Sequence, residues 1–223
     1  MNVTLGSFYQ FLRDLGSIII YRNLDSSDFF ILDEEELVFA SVAKSACSSI
    51  KNSMVGEHPK DRSIHYHTRH LSHKKIPRSK KSYHSFTYVR NPYERLISCY
   101  KDKFVKQREN FMYKNYLFGY LDRDDSFEEF VRKISKLPDF LCDRHFKTQY
   151  SIIYSKGARI DHIGRIEDLP GDYEEIRKKH DFGELNIFNR STSESDKQLL
   201  TESVKEMICE RFKKDFETFG YEM

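Results

Sequence analysis

A lysine, a thiol and several hydroxyls follow one short apolar run, and side chains of these types can bind an anion. They lie in the stretch Val42-Ala43-Lys44-Ser45-Ala46-Cys47-Ser48-Ser49-Ile50. Residues 37–42 are rich in strand formers, and residues 48–55 can continue as a helix. The first N–H groups of such a helix lack intrahelical partners and can bind an anion. The spacing therefore predicts a site for a phosphate or a sulfate.

Two other interpretations of this turn stay open on its residues alone. One is an ordinary polar turn with a serine N-cap. The other is a P-loop nucleotide site, but its Gly-x-x-x-x-Gly-Lys-Ser/Thr pattern is absent, because no glycine lies between Gly16 and Gly56. A second anion-binding element is needed to decide among the three.

A second strand–helix junction lies at residues 85–100. Residues 85–89 predict a strand, and Asn91-Pro92-Tyr93-Glu94 predicts a helix start with Asn as N-cap, Pro at the first position and Glu reaching back. This places Arg90 at the carboxyl tip of the strand and Ser98 two turns into the helix. Ligands of open α/β sheets bind at that edge, so both are candidate anion ligands.

Residues 56–84 concentrate positive charge. They hold eight lysines and arginines against two acidic residues, and six of the nine histidines, in a chain whose formal net charge is only +2. Such a run is either a solvated loop or a surface that draws in an anionic ligand. His65 and His67 resemble a pair of metal ligands, but no Cys or carboxylate accompanies them at ligand spacing, so no metal site is predicted.

Length and composition indicate one α/β domain. The 223 residues, 39% hydrophobic and 32% charged, suffice for a single domain over residues 1–223. Its four widely spaced cysteines argue against a disulfide framework and favour a reducing compartment: Cys47, Cys99, Cys142 and Cys209. No stretch resembles a signal peptide or a bilayer span, so the expected location is cytoplasmic.

Helical periodicity predicts the remaining elements. Apolar residues at helical spacing predict an amphipathic helix over residues 4–20 that packs on the core: Phe8, Phe11, Leu12, Leu15 and Ile19. A strand is predicted over residues 160–166, and further helices over residues 127–134, residues 171–180 and from about Ser193 to Phe212. Residues 143–149 form a polar loop with no decisive signal.

Together these residues resemble the sulfotransferases that use 3′-phosphoadenosine-5′-phosphosulfate (PAPS), in particular the carbohydrate sulfotransferase branch. Residues 42–49 resemble the 5′-phosphosulfate loop, and residues 88–100 closely resemble the 3′-phosphate motif. Residues 163–169 and 215–221 add weaker likenesses to a later strand and to the usual C-terminal ending. The resemblance covers the chain from about residue 37 to its end.

The resemblance implies an α/β fold, a three-layer sandwich with a mostly parallel central sheet and a P-loop-like phosphosulfate-binding strand-loop-helix. It implies transfer of a sulfuryl group from PAPS to a carbohydrate hydroxyl, with no metal requirement. The product of the donor is then 3′-phosphoadenosine-5′-phosphate (PAP). The implied donor ligands are Lys44, Ser45, Ala46, Cys47, Ser48, Ser49, Arg90 and Ser98, with Lys44 also catalytic. Ala43 stands where relatives usually have Pro. Cys47 stands where many have a hydroxyl or Gly, which puts one contact to the 5′-phosphate in question.

A base must take the proton from the acceptor hydroxyl, and a neutral histidine suits this near pH 7. His65-Tyr66-His67 resembles the paired histidines of uronyl 2-O-sulfotransferases. In an extended segment His65 and His67 share a face. His67 is therefore predicted as the base and His65 as its neighbour in acceptor positioning. His145 is the alternative, because relatives often carry a histidine in the corresponding loop.

The expected partner is a glycan acceptor, with a bacterial surface or capsular polysaccharide or its precursor as the favoured class and no nucleic acid. A P-loop-like phosphotransferase or kinase is the rival enzyme. A non-catalytic module that binds an anionic polymer through residues 56–84 is the rival from another class. The acceptor sugar is not specified, because residues 56–84 and 105–125 carry no motif.

Overall fold

The structure is a computed structural model in which a five-stranded sheet carries both predicted strand–helix junctions. It describes residues 5–59, 61–106, 116–117, 119–186 and 194–223. The helices and strands in chain order are α1 (Leu5–Tyr21), β1 (Asp28–Leu32), β2 (Leu37–Ser41), α2 (Cys47–Val55), α3 (Ile64–His67), β3 (Ser72–His73), β4 (His84–Val89), α4 (Pro92–Tyr100), α5 (Phe127–Ser135), α6 (Gln149–Ile153), β5 (His162–Arg165), α7 (Leu169–Lys179), α8 (Glu194–Lys197), α9 (Glu202–Arg211) and α10 (Lys213–Phe219). A π-helical segment, Lys101–Lys106, follows α4.

The sheet is mixed, with strand order β3-β1-β2-β4-β5. β2 pairs in parallel with β4, and β4 with β5, whereas β1 pairs antiparallel with both β2 and β3. The α/β fold is thus confirmed, but the expectation of a mostly parallel sheet is not. The sheet is mixed because of the unpredicted strand β1. This strand joins β2 through a turn that is too short for the crossover that a parallel pair requires.

The described chain divides into two compact units. The sheet unit comprises Ser27–Arg90 and Gln149–Ser191, and the helical unit comprises Met1–Ser26, Asn91–Thr148 and Thr192–Met223. Because the chain passes between the units more than once, neither is a continuous segment. A single domain over residues 1–223 stays a prediction.

The sheet unit buries both faces of its sheet. One face packs against α2 and α7 in a cluster that includes Phe39, Phe86 and Tyr173. On the other face, Phe29 and Val38 belong to a cluster against which four side chains outside the strands pack: Ile76, Tyr83, Ala158 and Ile160. Apolar burial on this scale is the main stabilising term for such a unit.

The helical unit has its own core, formed by one face each of α4, α5, α9 and α10. The single helix predicted from about Ser193 to Phe212 is wrong: two helices, α8 and α9, cover this region, α10 follows it, and Ser193 itself lies outside the described residues. The helix is interrupted between α8 and α9 because Thr201 acts as the N-cap of α9. Its side chain accepts a hydrogen bond from Val204 N.

Helix α1 forms as predicted, but its described apolar side chains do not pack on the core. Leu12, Leu15 and Ile19 are 49%, 38% and 69% exposed. The side chains of Phe8 and Phe11 lie outside the described part of the chain. The spacing of the apolar residues correctly predicted the helix. It carried no information about which surface its apolar face contacts. None of the described helices combines the length and the hydrophobicity needed to cross a membrane.

Candidate functional site

The turn between β2 and α2 is where the sequence predicts an anion site. Every residue of β2 is buried, so the turn starts from a rigid element. Lys44 (φ 69°) and Ala46 (φ 57°) both lie in the left-handed region, which costs a non-glycine residue about 1–2 kcal/mol. Ala46 is the N-cap of α2 and supplies no side-chain cap, so the first N–H groups of the helix are left to a ligand. Strain beside an uncapped helix start favours a binding role for this turn.

Helix α2 is fixed to the sheet by a buried ion pair. Lys51 Nζ donates to Asp28 Oδ2 at 2.6 Å and lies 5.0 Å from the centre of the Phe30 ring. Lys51 is almost fully buried, and removing one partner of such a pair typically costs about 3–5 kcal/mol. The start of α2, where the sequence predicts the anion, is therefore held in place by the second turn of the helix and by β1.

One buried amide joins the two predicted anion elements. Gln149 is fully buried; its Oε1 accepts from Arg90 N at 2.9 Å and from Ser45 Oγ at 3.3 Å. Its Nε2 donates to Arg90 O at 2.8 Å. Gln149 thus ties the turn after β2 to the tip of β4. The sequence placed Gln149 in a polar loop but gave no signal for this role, since its partners are 59 and 104 residues away.

Arg90 follows β4 as predicted and is only 4% exposed. The next helix starts as the sequence indicated: Asn91 is the N-cap of α4, its side chain accepts from Tyr93 N, and Pro92 is the first residue. Ser98 lies in α4 and so belongs to the helical unit, whereas Arg90 belongs to the sheet unit. The position of each residue matches the prediction, and their joint action on an anion stays a prediction.

His65 lies beside the anion turn. Its Nε2 is 3.0 Å from Ser48 Oγ, in the first turn of α2. Burial raises the pKa of the Cys47 thiol, but a hydrogen bond with His65 and the charges of His65 and Lys51 lower it by more, to about 7. A thiolate at this position would repel an anionic ligand, so the neutral thiol present below that pKa favours binding.

His67 does not share a face with His65, and the structural premise for choosing it as base is wrong. Residues 64–67 form the short helix α3 rather than an extended segment, so alternate residues point in different directions. His67 Nε2 lies 3.0 Å from Asp61 Oδ1, and its ring packs against that of His58. Among the described residues, no group of three or more His, Cys, Asp or Glu is arranged to hold a metal.

His145 belongs to the helical unit and is paired with a carboxylate. Its Nδ1 lies 2.5 Å from Oδ1 of the buried Asp143. Burial raises the pKa of Asp143, but the charge and hydrogen bonds of His145 and the charge of Arg144 lower it by more, to about 2. A carboxylate bonded to Nδ1 orients the imidazole ring, which is how catalytic histidines are positioned.

Arg95 fixes the loop that carries His145. This buried side chain on α4 donates from Nη1 to Lys147 O and from Nη2 to Arg144 O, both at 2.8 Å. The sequence marked residues 143–149 only as a polar loop and did not identify Arg95. A buried arginine that donates to two backbone carbonyls holds the loop through hydrogen bonds to a charged group.

Comparisons with known proteins identify the family of the chain. Residues 27–222 match a family model described as the sulfotransferase family. The chain is 24% identical to carbohydrate sulfotransferase 11 of Rattus norvegicus and of Mus musculus, over 86% of this chain and 66% of each relative. It is also 24% identical to carbohydrate sulfotransferase 11 of Danio rerio, over 90% of this chain and 69% of the relative. The chain therefore spans just under two thirds of the length of the two mammalian relatives. No solved structure gives a significant match.

Proposed function

Because this chain belongs to the sulfotransferase family, we propose that it transfers a sulfuryl group from PAPS to a hydroxyl of a carbohydrate acceptor. The carbohydrate class is supported by the names of the relatives, which are carbohydrate sulfotransferases. PAPS would supply the sulfuryl group on its 5′-phosphate. A bond forms between the acceptor oxygen and sulfur, and the bond between sulfur and the 5′-phosphate oxygen breaks.

The observation that carries this proposal is the Gln149 bridge. PAPS has two separate anionic ends, and its binding site must hold two anion elements at a fixed spacing. A single buried side chain bonds Ser45 in one element and the backbone of Arg90 in the other. A site for one phosphate would not need this connection.

The residues divide into groups that hold the donor and a group that moves the proton. Lys44 and the N–H groups at the start of α2 would neutralise the charge that builds on the leaving 5′-phosphate. Ser48 and Ser49 would hold 5′ oxygens, and Arg90 with Ser98 would bind the 3′-phosphate. Positioning and charge neutralisation supply most of the catalysis in transfers of this kind.

We propose His65 as the base, in place of His67, with His145 as the alternative. His65 is exposed and bonds Ser48 at the start of α2, whereas the described contacts of His67 are made with Asp61, His58 and Tyr66. A neutral His65 would take the acceptor proton on a ring nitrogen and become an imidazolium. Its reach toward the donor turn is the geometric argument for this choice.

The pH profile of kcat/KM distinguishes the histidines. Measured in a Cys47→Ser background, so that the thiol does not titrate, activity should fall at low pH, because the base must be neutral. His65→Ala should lose most of the turnover and this acidic limb. His67→Ala should keep the limb. Loss of the limb in His145→Ala, with its retention in His65→Ala, would move the assignment to His145.

Gln149→Leu should weaken PAP binding as well as the fold. The change leaves buried polar groups of Arg90 and Ser45 without their partner, and each such group typically costs about 1–3 kcal/mol. We expect a lower urea midpoint and, in calorimetry of the folded protein, at least about tenfold weaker binding of PAP.

Ser53→Ala is the matched control, because the Ser53 hydroxyl donates to Gly183 O at 2.5 Å within the same unit, in a bond that touches neither anion element. It should destabilise the protein and leave PAP affinity unchanged. Equal losses of PAP affinity in the two variants would show that Gln149 acts only through general stability.

The acceptor is proposed to be a bacterial surface or capsular polysaccharide or its precursor, modified in the cytoplasm; the four free cysteines are consistent with a reducing compartment. Calorimetry with PAP, ATP and heparin tests the functional class. The proposal requires tight binding of PAP and weak binding of ATP. Preference for ATP would favour a phosphotransferase. A protein that binds heparin and does not bind PAP would favour the non-catalytic module.

A further inference from the structure

A cavity of about 370 Å³ lies in the sheet unit, away from the anion turn. Its apolar wall includes Val38, Ile76 and Ala158, which belong to the sheet face opposite α2 and α7. Six cationic side chains line it: Lys75, Arg78, Lys80, Lys81, Lys156 and Arg159. The first four come from the basic stretch of residues 56–84, whose role the donor site does not explain.

Most of this positive charge is not neutralised within the described chain. Lys80 pairs with Asp33 at 2.6 Å, and Asp161 accepts from Ser85. The carboxylates of Asp33 and Glu36 both act electrostatically on Tyr83, which lines the cavity. Lys75, Arg78, Lys81 and Lys156 form no ion pair with a described residue, and all four are exposed. Converging exposed cations with so few carboxylates beside them create a positive potential that attracts anions.

A buried hydroxyl gives a second, independent indication of a ligand. Ser155 lines the cavity, its Oγ is buried, and it has no hydrogen-bond partner among the described residues. The adjoining residues Lys156 (φ 53°) and Gly157 (φ 72°) are both left-handed, which is unfavourable for the lysine. A buried hydroxyl normally finds a partner, so an orphaned one in a polar cavity favours a ligand at that position.

We propose that this cavity binds an anionic stretch of the glycan acceptor, through carboxylate or sulfate groups on sugars away from the one that is sulfated. This inference rests on the proposed function and names its acceptor class as a uronate-bearing or sulfated polysaccharide. The cations suit the anionic substituents, and the apolar wall suits the C–H face of a sugar ring.

The position of the cavity fits a polymeric acceptor. Val38 lies near the start of β2 and Lys44 lies after its end, so the strand between them separates cavity and anion turn by roughly 13 Å. The volume is within the range of about 300–1,000 Å³ of small-molecule sites and is larger than one inorganic anion needs. A ligand that occupies the cavity and also reaches the turn must be an extended molecule.

Binding of oligosaccharides in the absence of donor tests this site separately from transfer. Arg78→Glu/Lys81→Glu should weaken binding of a heparin octasaccharide by about tenfold or more at low salt, whereas Lys178→Glu/Lys179→Glu, on the opposite sheet face, should change it little. Ser155→Ala should give a smaller loss with an unchanged melting temperature. Affinity for PAP should be unchanged in all three variants.

Two outcomes would overturn the site. One is equal heparin affinity in the cavity variant and its matched control. The other is tripolyphosphate binding as tightly as heparin and displacing it, which would indicate a compact polyanion instead of a glycan. Failure of the wild-type chain to bind PAP would refute the proposed function, and that result is distinguishable from both outcomes that would overturn the cavity site.

Discussion

Replacing Lys44 with alanine is expected to lower kcat by roughly 100-fold or more while the fold stays intact. The physical reason is that a charge placed in advance beside the leaving phosphate stabilises the transition state more than the ground state. Lys44 is half-buried in the turn between a fully buried strand and an uncapped helix start, where water screens its charge less than at the surface. Steady-state kinetics with PAPS and the best acceptor measure the effect.

The backbone at Lys44 calls for a second variant. Because its φ is 69°, any loss in Lys44→Ala could come from altered turn geometry, whereas glycine adopts this conformation without strain. Lys44→Gly should lose turnover as severely as Lys44→Ala and be at least as stable. Near-normal turnover in either variant would refute the assignment of Lys44 to the leaving group.

Arg90→Ala should weaken PAP binding by about 2 kcal/mol or more, the scale of a lost charge-assisted hydrogen bond. The backbone hydrogen bonds of Arg90 to Gln149 do not depend on its side chain, so the bridge between the two anion elements should survive the change. Calorimetry with PAP gives the affinity, and Ser98→Ala should show a smaller loss of the same kind.

Adenosine 5′-phosphosulfate, which lacks the 3′-phosphate, separates the two ends of the donor. Its binding should be far less sensitive to Arg90→Ala than that of PAP. Arg132→Ala, on the exposed side of α5, is the control for loss of an arginine charge and should affect neither ligand. Equal losses for both ligands in Arg90→Ala would show that Arg90 does not read the 3′-phosphate.

The local parts of the site could be predicted because their signals are local. A buried apolar run before a turn predicted β2, and the Asn-Pro-x-Glu start predicted α4 and hence the place of Arg90. Capping and propensity act within a few residues, so one sequence suffices to read them. The same reasoning correctly placed helices α1, α2 and α5 to within a few residues.

The features that were missed or wrongly predicted depend on contacts between residues distant in sequence. The role of Gln149 comes from partners in two other segments, and no periodicity reports them. Strand β1 was missed although its central residues Phe29, Phe30 and Ile31 are buried, because so short a run is ambiguous until its partner β2 is known. A shared face for His65 and His67 required an extended segment, whereas residues 64–67 form one helical turn.

The most direct test of the account is transfer of radioactive sulfur from PAPS to a panel of glycans by the wild-type protein and by Lys44→Ala. We predict a labelled polysaccharide with the wild type, strongest for acceptors that carry uronate or sulfate groups, and roughly 100-fold slower labelling with the variant. Wild-type protein that binds PAP and labels no glycan, or equal labelling by both proteins, would contradict it.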